Sequence, residues 1–131
     1  MKMSADIALD HVLIVVGDLE RSMEFYGLLG FHHVETIQRP DDRVAVMRLG
    51  DAKIELMNQR EGLETSRPPR RITDIGFRHL GFGVPSVAAA YSRLKDRIRF
   101  DSPPTPIAGR PGRLTVFFHD PDGTELHLVQ E

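Results

Sequence analysis

The chain has 131 residues, of which 40% are hydrophobic and 27% charged, and its formal net charge is −2. This length is typical of one domain, and the composition is that of an ordinary globular protein. The small net charge argues against a nucleic-acid binder or a polybasic membrane surface. Cysteine is absent, which excludes a disulfide scaffold, a zinc finger and a thiol nucleophile.

The sequence carries no membrane or secretion signal. No apolar run approaches the ~20 residues that a membrane-spanning helix needs. Residues 1–6 lack the apolar core of a secretory signal. We therefore expect a cytoplasmic protein with no membrane partner.

The first half of the chain predicts a strand, a helix and then three strands. Leu9 to Val16 is an apolar, β-branched run interrupted by one histidine, which is typical of a buried strand. Asp18 is placed to cap a helix from Leu19 to about Leu29, which Gly30 ends. Three further strands follow, separated by turns, at residues 31–38, 43–49 and 52–58.

The second half repeats this pattern after a polar stretch at residues 59–76. That stretch carries a basic cluster at 67–71, which we interpret as a solvated loop. A strand is predicted at 77–84 and a helix from the cap Ser86 to about Arg97. The remaining predicted segments are a short strand at 99–101, a proline- and glycine-rich loop at 102–112, and strands at 113–119 and 124–130.

We therefore expect one domain over residues 1–131 that is built from two βαβββ modules. The first module covers about 7–58, the linker 59–76 and the second module about 77–131. The duplication is visible by offset. His11 maps onto His79, 68 positions later, and Glu55 maps onto His127 at an offset of 72, which one longer loop in the second module would explain.

These four residues are the candidate site. Each is a polar group in a strand whose other residues favour burial, and burying an ionised carboxylate is costly unless it is paired or binds a metal. Alone, a strand histidine is more often a hydrogen-bonded core residue than a ligand. Two equivalent pairs favour one shared divalent cation, and imidazole and carboxylate ligands suit Zn, Ni, Mn, Fe or Co. The predicted ligands are His11, Glu55, His79 and His127.

The other histidines, His32, His33 and His119, have no such symmetry and are interpreted as surface or structural residues. Glu125 lies two residues before His127, on the turn side of its strand. It is the reserve ligand if the strand register is shifted.

Several motifs resemble those of one superfamily. The segments are Asp10-His11-Val12, Gly17-Asp18-Leu19-Glu20-Arg21-Ser22, Phe25-Tyr26, Leu29-Gly30-Phe31, Leu49-Gly50-Asp51-Ala52-Lys53-Ile54-Glu55-Leu56, Arg78-His79-Leu80-Gly81-Phe82-Gly83-Val84 and Phe117-Phe118-His119-Asp120-Pro121-Asp122-Gly123. Together they resemble the vicinal oxygen chelate proteins, which include glyoxalase I, methylmalonyl-CoA epimerase, extradiol dioxygenases and fosfomycin- or bleomycin-resistance proteins. The resemblance implies an α+β fold in which the two modules form a curved mixed sheet with helices on the outer side.

The resemblance also places the four metal ligands on the first and last strands of each module, at the positions of the quartet above. Two departures stand out. His127 occupies a position where the family usually has Glu, and Val15 occupies the position of an arginine that holds glutathione in bacterial glyoxalase I. The first departure breaks the extradiol pattern and changes the charge of the site by one unit. The second counts against glutathione as the carrier.

The resemblance implies a divalent-metal-dependent, glyoxalase-like lyase, isomerase or epimerase. Such an enzyme stabilises an enediolate of a small carbonyl substrate, and Glu55 would serve as general base. An Fe(II) extradiol-type dioxygenase, a non-catalytic ligand-binding protein of the antibiotic-resistance type and a thiol transferase remain alternatives. By resemblance the expected partners are a small-molecule substrate and a second copy of the chain in a homodimer.

Overall fold

The computed structural model describes residues 6–66 and 68–130. The chain divides into two compact units, Met1–Pro68 and Pro69–Glu131, and the boundary falls inside the predicted linker. Each unit contains four strands and one helix in the order strand, helix, strand, strand, strand within the described residues. The prediction of two tandem βαβββ modules is therefore confirmed.

The first unit forms a mixed four-stranded sheet with one helix. Its elements are β1 (Val12–Val16), α1 (Leu19–Leu28), β2 (His32–Gln38), β3 (Arg43–Leu49) and β4 (Ala52–Asn58). The strand order is β1-β4-β3-β2. Strands β1 and β4 run parallel and the other neighbours run antiparallel. The first and last strands of the unit therefore lie side by side.

Local sequence explains the limits of α1. The Asp18 side chain accepts a hydrogen bond from the Arg21 amide at 3.0 Å, which caps the helix at its start. Gly30, at a φ of 106°, takes the chain out of the helix in a backbone conformation that other residues rarely adopt. The helix buries Leu19 and Tyr26 with the sheet residue Leu56 in the core of this unit.

The second unit repeats this arrangement. Its elements are β5 (His79–Val84), α2 (Val87–Leu94), β6 (Thr105–Ile107), β7 (Arg110–His119) and β8 (Glu125–Gln130). The strand order is β5-β8-β7-β6, again with the first and last strands parallel. Ser86 caps α2 by accepting from the Ala89 amide at 3.1 Å. The core of this unit is formed by Val87, Ala90, Leu94, Ile98, Val116, Phe118, Leu126 and Leu128.

The predicted short strand at 99–101 is wrong: within it the structure has only an isolated bridge between Phe100 and Phe118. The second strand of the unit is instead β6, inside the segment predicted to be a loop. Gly109, at a φ of 77°, allows the tight turn that pairs Ile107 with Arg110. Pro106 is tolerated because β6 is an edge strand.

Other boundaries shift by one to three residues, as helix and strand ends commonly do. The first strand begins at Val12, and α2 ends at Leu94. In the described part of the chain, neither helix is long and apolar enough to cross a membrane.

Candidate functional site

In each unit the helix lies over one side of the sheet, and we call the opposite side the open face. Side chains alternate between the two sides along a strand. On β4, Ile54 and Leu56 are buried, whereas Glu55 is half-buried on the open face. On β8, Leu126 and Leu128 are buried, and His127 is half-buried on the open face. Glu55 and His127 therefore hold equivalent places, as the offset predicted.

His11 and Glu55 are brought together in the first unit. His11 lies directly before β1, and the parallel pairing with β4 sets Leu13 beside Glu55. His11 Nδ1 is 3.7 Å from Glu55 Oε2. Asp10 joins this pair, and ligand atoms of the three side chains all lie within 4.8 Å of one another.

Asp10 orients the His11 ring. Asp10 Oδ2 lies 2.8 Å from His11 Nδ1 and 3.0 Å from Lys53 Nζ. The hydrogen bonds from His11 and then Lys53 hold the pKa of Asp10 below its ordinary value. An ionised carboxylate can only accept, so His11 donates from Nδ1, and Nε2 is the ring nitrogen left for a ligand.

His79 and His127 are brought together in the second unit. Their ring centroids lie 4.3 Å apart. His79 Nδ1 is 2.8 Å from Glu125 Oε2, and that carboxylate also pairs with Arg78 Nε at 3.3 Å. Glu125 is thus the hydrogen-bond acceptor for His79, and Nε2 of His79 is the ring nitrogen left for a ligand, as in His11.

The His127 ring is fixed on three sides. The Thr115 hydroxyl donates to the Leu128 carbonyl at 2.9 Å and lies 2.9 Å from His127 Nδ1, so it accepts the Nδ1 proton. Phe117 stacks on the ring at 4.7 Å. On the third side is Gly81, where a Cβ would lie only 2.6 Å from His127 Nε2.

Burial, and then the neighbouring His79, lower the pKa of His127 below its ordinary value of 6.5. His127 is therefore neutral at neutral pH. Its proton sits on Nδ1, which leaves Nε2 with a lone pair for a ligand or a metal.

The expectation that the four site residues are buried is wrong. His11 is exposed, with 37% of its side-chain surface accessible, and the other three are half-buried. The reason is that they project from the open faces rather than toward the helices. The cost of burying a polar group therefore does not by itself require a metal at any of these four residues.

Sequence reasoning assigned no role to Asp10, Lys53, Arg78 or Thr115, and held Glu125 only as a reserve ligand. Lys53, Arg78 and Thr115 contact residues far along the chain, which no local pattern marks, whereas Asp10 also contacts its sequence neighbour His11. One signal was available: the offsets of 68 and 72 place Asp10 opposite Arg78 and Lys53 opposite Glu125. His33 and His119 contact residues outside these two clusters. His33 contacts Thr36 and His119 contacts Asp101.

The donor chemistry of each unit suits a divalent transition metal. Three imidazoles and one carboxylate are ligand types that Zn and its neighbours prefer. A hydrogen-bond acceptor on the second ring nitrogen is the usual support of a metal-binding histidine.

Comparisons with known proteins agree with this fold. The sequence matches the family model of the Glyoxalase/Bleomycin resistance protein/Dioxygenase superfamily over residues 8–128. The solved structure of SMU.1112c is 31% identical, with a TM-score of 0.76, and the match covers 95% of this chain and 99% of that one. A glyoxalase family protein from Enterococcus faecalis is 27% identical, with a TM-score of 0.79 and coverage of 93% and 96%. The trypanothione-dependent glyoxalase I of Leishmania major is 25% identical, with a TM-score of 0.73 and coverage of 96% and 88%. No curated protein matches the sequence significantly.

Proposed function

The chain belongs to the Glyoxalase/Bleomycin resistance protein/Dioxygenase superfamily, and from that premise we propose that it is a divalent-metal-dependent, glyoxalase-like lyase, isomerase or epimerase. Its substrate is a small carbonyl compound that carries two neighbouring oxygens. The proposed metal ligands are His11, Glu55, His79 and His127. The protein acts as a homodimer, and the ligands come from one chain or from two.

One observation supports the proposal above all others: each unit presents its two candidate ligands in contact on an open face, with each histidine hydrogen-bonded through Nδ1. His11 is bound by Asp10 at 2.8 Å, His79 by Glu125 at 2.8 Å and His127 by Thr115 at 2.9 Å. A hydrogen-bond partner at Nδ1 of each imidazole is the expected support of metal-binding histidines.

The chemistry follows from the two kinds of donor. A divalent metal, when bound, would act as a Lewis acid and draw charge from two adjacent substrate oxygens. Glu55, the one carboxylate of the four, takes the proton from the neighbouring carbon as general base. Neutral His127 in place of a second carboxylate leaves the donor set with one negative charge fewer, which favours a substrate that develops negative charge.

Val15 supports a carrier other than glutathione. Half of its surface is exposed on the open face of β1. An apolar side chain there offers no charge to the carboxylates of a glutathione adduct. We therefore propose a substrate that is not carried on glutathione.

Metal binding is the first test. Protein purified without chelators is expected to hold about one divalent metal per site by elemental analysis. Alanine at each of the four ligand positions should weaken zinc binding, measured by calorimetry, by well over tenfold. His33→Ala is the matched control and should leave the affinity unchanged. Equal affinities for His79→Ala and His33→Ala would exclude the proposed ligand set.

The reaction class needs a second measurement. The holoprotein is expected to exchange the C–H hydrogens of small α-hydroxycarbonyl compounds such as dihydroxyacetone with deuterated solvent, as followed by NMR. Oxygen uptake that requires Fe(II) would instead assign the dioxygenase class. Tight ligand binding with no turnover would assign the antibiotic-resistance class.

A further inference from the structure

We propose that each unit contains a carboxylate–cation pair that positions the histidine at the start of its first strand. The acid and the cation hold opposite positions in the two units. The first pair is Asp10 with Lys53, and the second is Glu125 with Arg78. In each pair the carboxylate lies 2.8 Å from Nδ1 of a histidine, so Nε2 is the ring nitrogen left to bind a ligand. This inference rests on the proposed metal site, for which these residues would be positioning residues rather than ligands.

In the first unit the carboxylate precedes the histidine in the chain. Asp10 Oδ2 contacts both His11 Nδ1 at 2.8 Å and Lys53 Nζ at 3.0 Å. The same oxygen thus has a proton donor on one side and a cation on the other. An acceptor already shared in this way is poorly placed to bind a metal, although Asp10 lies close to His11 and Glu55.

In the second unit the carboxylate lies on the neighbouring strand. Glu125 Oε2 contacts His79 Nδ1 at 2.8 Å and Arg78 Nε at 3.3 Å. Its other oxygen, Oε1, lies 3.4 Å from Arg78 Nη2. The cation now precedes the histidine, where the first unit has its acid.

Strand register shows that the two pairs occupy equivalent places. Val12 pairs with Ile54 in the first unit, and Leu80 pairs with Leu126 in the second. These partners are related by the same offsets of 68 and 72 that relate the histidines. Lys53 and Glu125 lie one residue before Ile54 and Leu126, and Asp10 and Arg78 lie two residues before Val12 and Leu80. Asp10 therefore corresponds to Arg78, and Lys53 to Glu125. The acid and the base have changed strands, while the carboxylate–Nδ1 distance is 2.8 Å in both units.

The retained contact indicates what the pair contributes. The acid and the cation hold opposite positions in the two units, but in both units a carboxylate contacts Nδ1 of the histidine. Such an acceptor fixes the tautomer and the ring orientation of a metal-binding histidine and raises its basicity. The cation contacts the carboxylate and so helps to hold it beside the ring.

The second unit allows a direct test, because exchanging its charges would reproduce the first pair. Long-range nitrogen–proton NMR on metal-free protein should show His79 mainly as the Nδ1–H tautomer. Glu125→Lys should mix the tautomers and weaken zinc binding, measured by calorimetry, by roughly 10- to 100-fold. The double variant Arg78→Asp with Glu125→Lys should restore the Nδ1–H form and return the affinity to within roughly threefold of wild type.

Two further variants complete the design. Glu125→Gln is nearly isosteric. If Glu125→Lys does not fold, the His79 tautomer and the zinc affinity are measured in Glu125→Gln instead. Asp101→Asn is the matched control, because it removes a carboxylate 3.2 Å from His119 Nδ1. It should alter the His119 signals and leave His79 and the zinc affinity unchanged.

The outcomes separate this inference from the proposed function. An unchanged His79 tautomer and unchanged zinc affinity in both Glu125 variants would overturn the positioning role, even if the protein binds zinc. Failure of the double variant to recover would overturn the interchange of charges. If wild-type protein binds no zinc but shows the Nδ1–H form and its loss on substitution, the pair stands and the proposed metal site fails.

Discussion

The two units have the same strand order but present different chemistry on their open faces. The first carries the carboxylate of Glu55 in the position where the second carries the imidazole of His127. Glu55 lies 3.7 Å from Nδ1 of the exposed His11, whereas His127 stacks on Phe117 and is held by Thr115. A duplicated fold can thus place a proton acceptor in one half and a rigid neutral ligand in the other.

The largest expected effect comes from replacing the equivalent residues Glu55 and His127 by glutamine, one at a time. Glu55→Gln at saturating zinc should lower the rate of solvent deuterium exchange by roughly 10²- to 10⁴-fold, because it removes the base. His127→Gln should mainly weaken zinc binding. Exchange followed by NMR, with zinc occupancy measured in parallel, checks both. Full exchange by metal-loaded Glu55→Gln would show that the first unit does not supply the base.

The next effect compares the two positioning carboxylates. Glu125 is 20% exposed and Asp10 is 58% exposed. Water replaces an exposed acceptor more easily, so Glu125→Gln should cost roughly 10- to 100-fold in zinc affinity and Asp10→Asn less. Calorimetry on both variants decides the order. A larger loss of zinc affinity in Asp10→Asn would mean that side-chain exposure does not determine which carboxylate contributes more.

A smaller effect is expected at Gly81, which leaves the space for the His127 ring. In Gly81→Ala the new Cβ would lie 2.6 Å from His127 Nε2, so the ring must move. Zinc affinity should fall by about tenfold, at the lower end of the range for disturbed ligand support. The control is Gly27→Ala on the exposed surface of α1, where no atom lies within 4 Å of the added Cβ.

Gly27→Ala should keep the zinc affinity and raise the free energy of unfolding by about 0.4–1 kcal/mol, since it restricts the unfolded chain and favours the helix. Chemical denaturation measures that change. Equal zinc affinities in the two alanine variants would show that the His127 ring does not need its observed position.

The smallest effect is the pH dependence of stability without metal. The folded-state pKa of His127 is depressed, so the unfolded chain binds a proton first as the pH falls. This contribution to stability is complete above the ordinary pKa of 6.5 and is lost as the pH falls toward the lower folded pKa. Denaturation in the presence of chelator should therefore show stability decreasing below about pH 7.

Asp10 acts in a different pH range. Its folded pKa lies below the ordinary 3.8, so its contribution is present above that value and disappears only in stronger acid. His127→Asn should flatten the slope between pH 5 and 7 (roughly the range of histidine titration), whereas Asp10→Asn should leave it unchanged. The opposite pattern would mean that the first unit controls the response near neutral pH.

Much of the fold could be predicted from the sequence because its signals are local. The N-caps Asp18 and Ser86 and the turn at Gly50 are encoded within a few residues. The motif resemblance to the superfamily is likewise confirmed over residues 8–128. The second strand of the second unit, β6, was missed because Pro106 and Gly109 suggested a loop. Only the pairing with β7 shows that this segment is an edge strand.

Part of the candidate site was also predictable. The offset identified His11 with His79 and Glu55 with His127, and each unit brings its own two residues together. The grouping of all four around one metal remains a prediction. The expected burial of these residues was wrong because alternation along a strand gives two faces but does not say which one the helix covers.

The sequence alone determined the order of helices and strands, the duplication and the residue types of the quartet, because periodicity, capping and repeat offsets act over short stretches of chain. The tertiary structure decided which atoms of the quartet are available. Lys53 reaches Asp10 across 43 positions, and Glu125 reaches His79 across 46. Such contacts depend on strand register, and they hold a carboxylate beside Nδ1 of His11 and of His79.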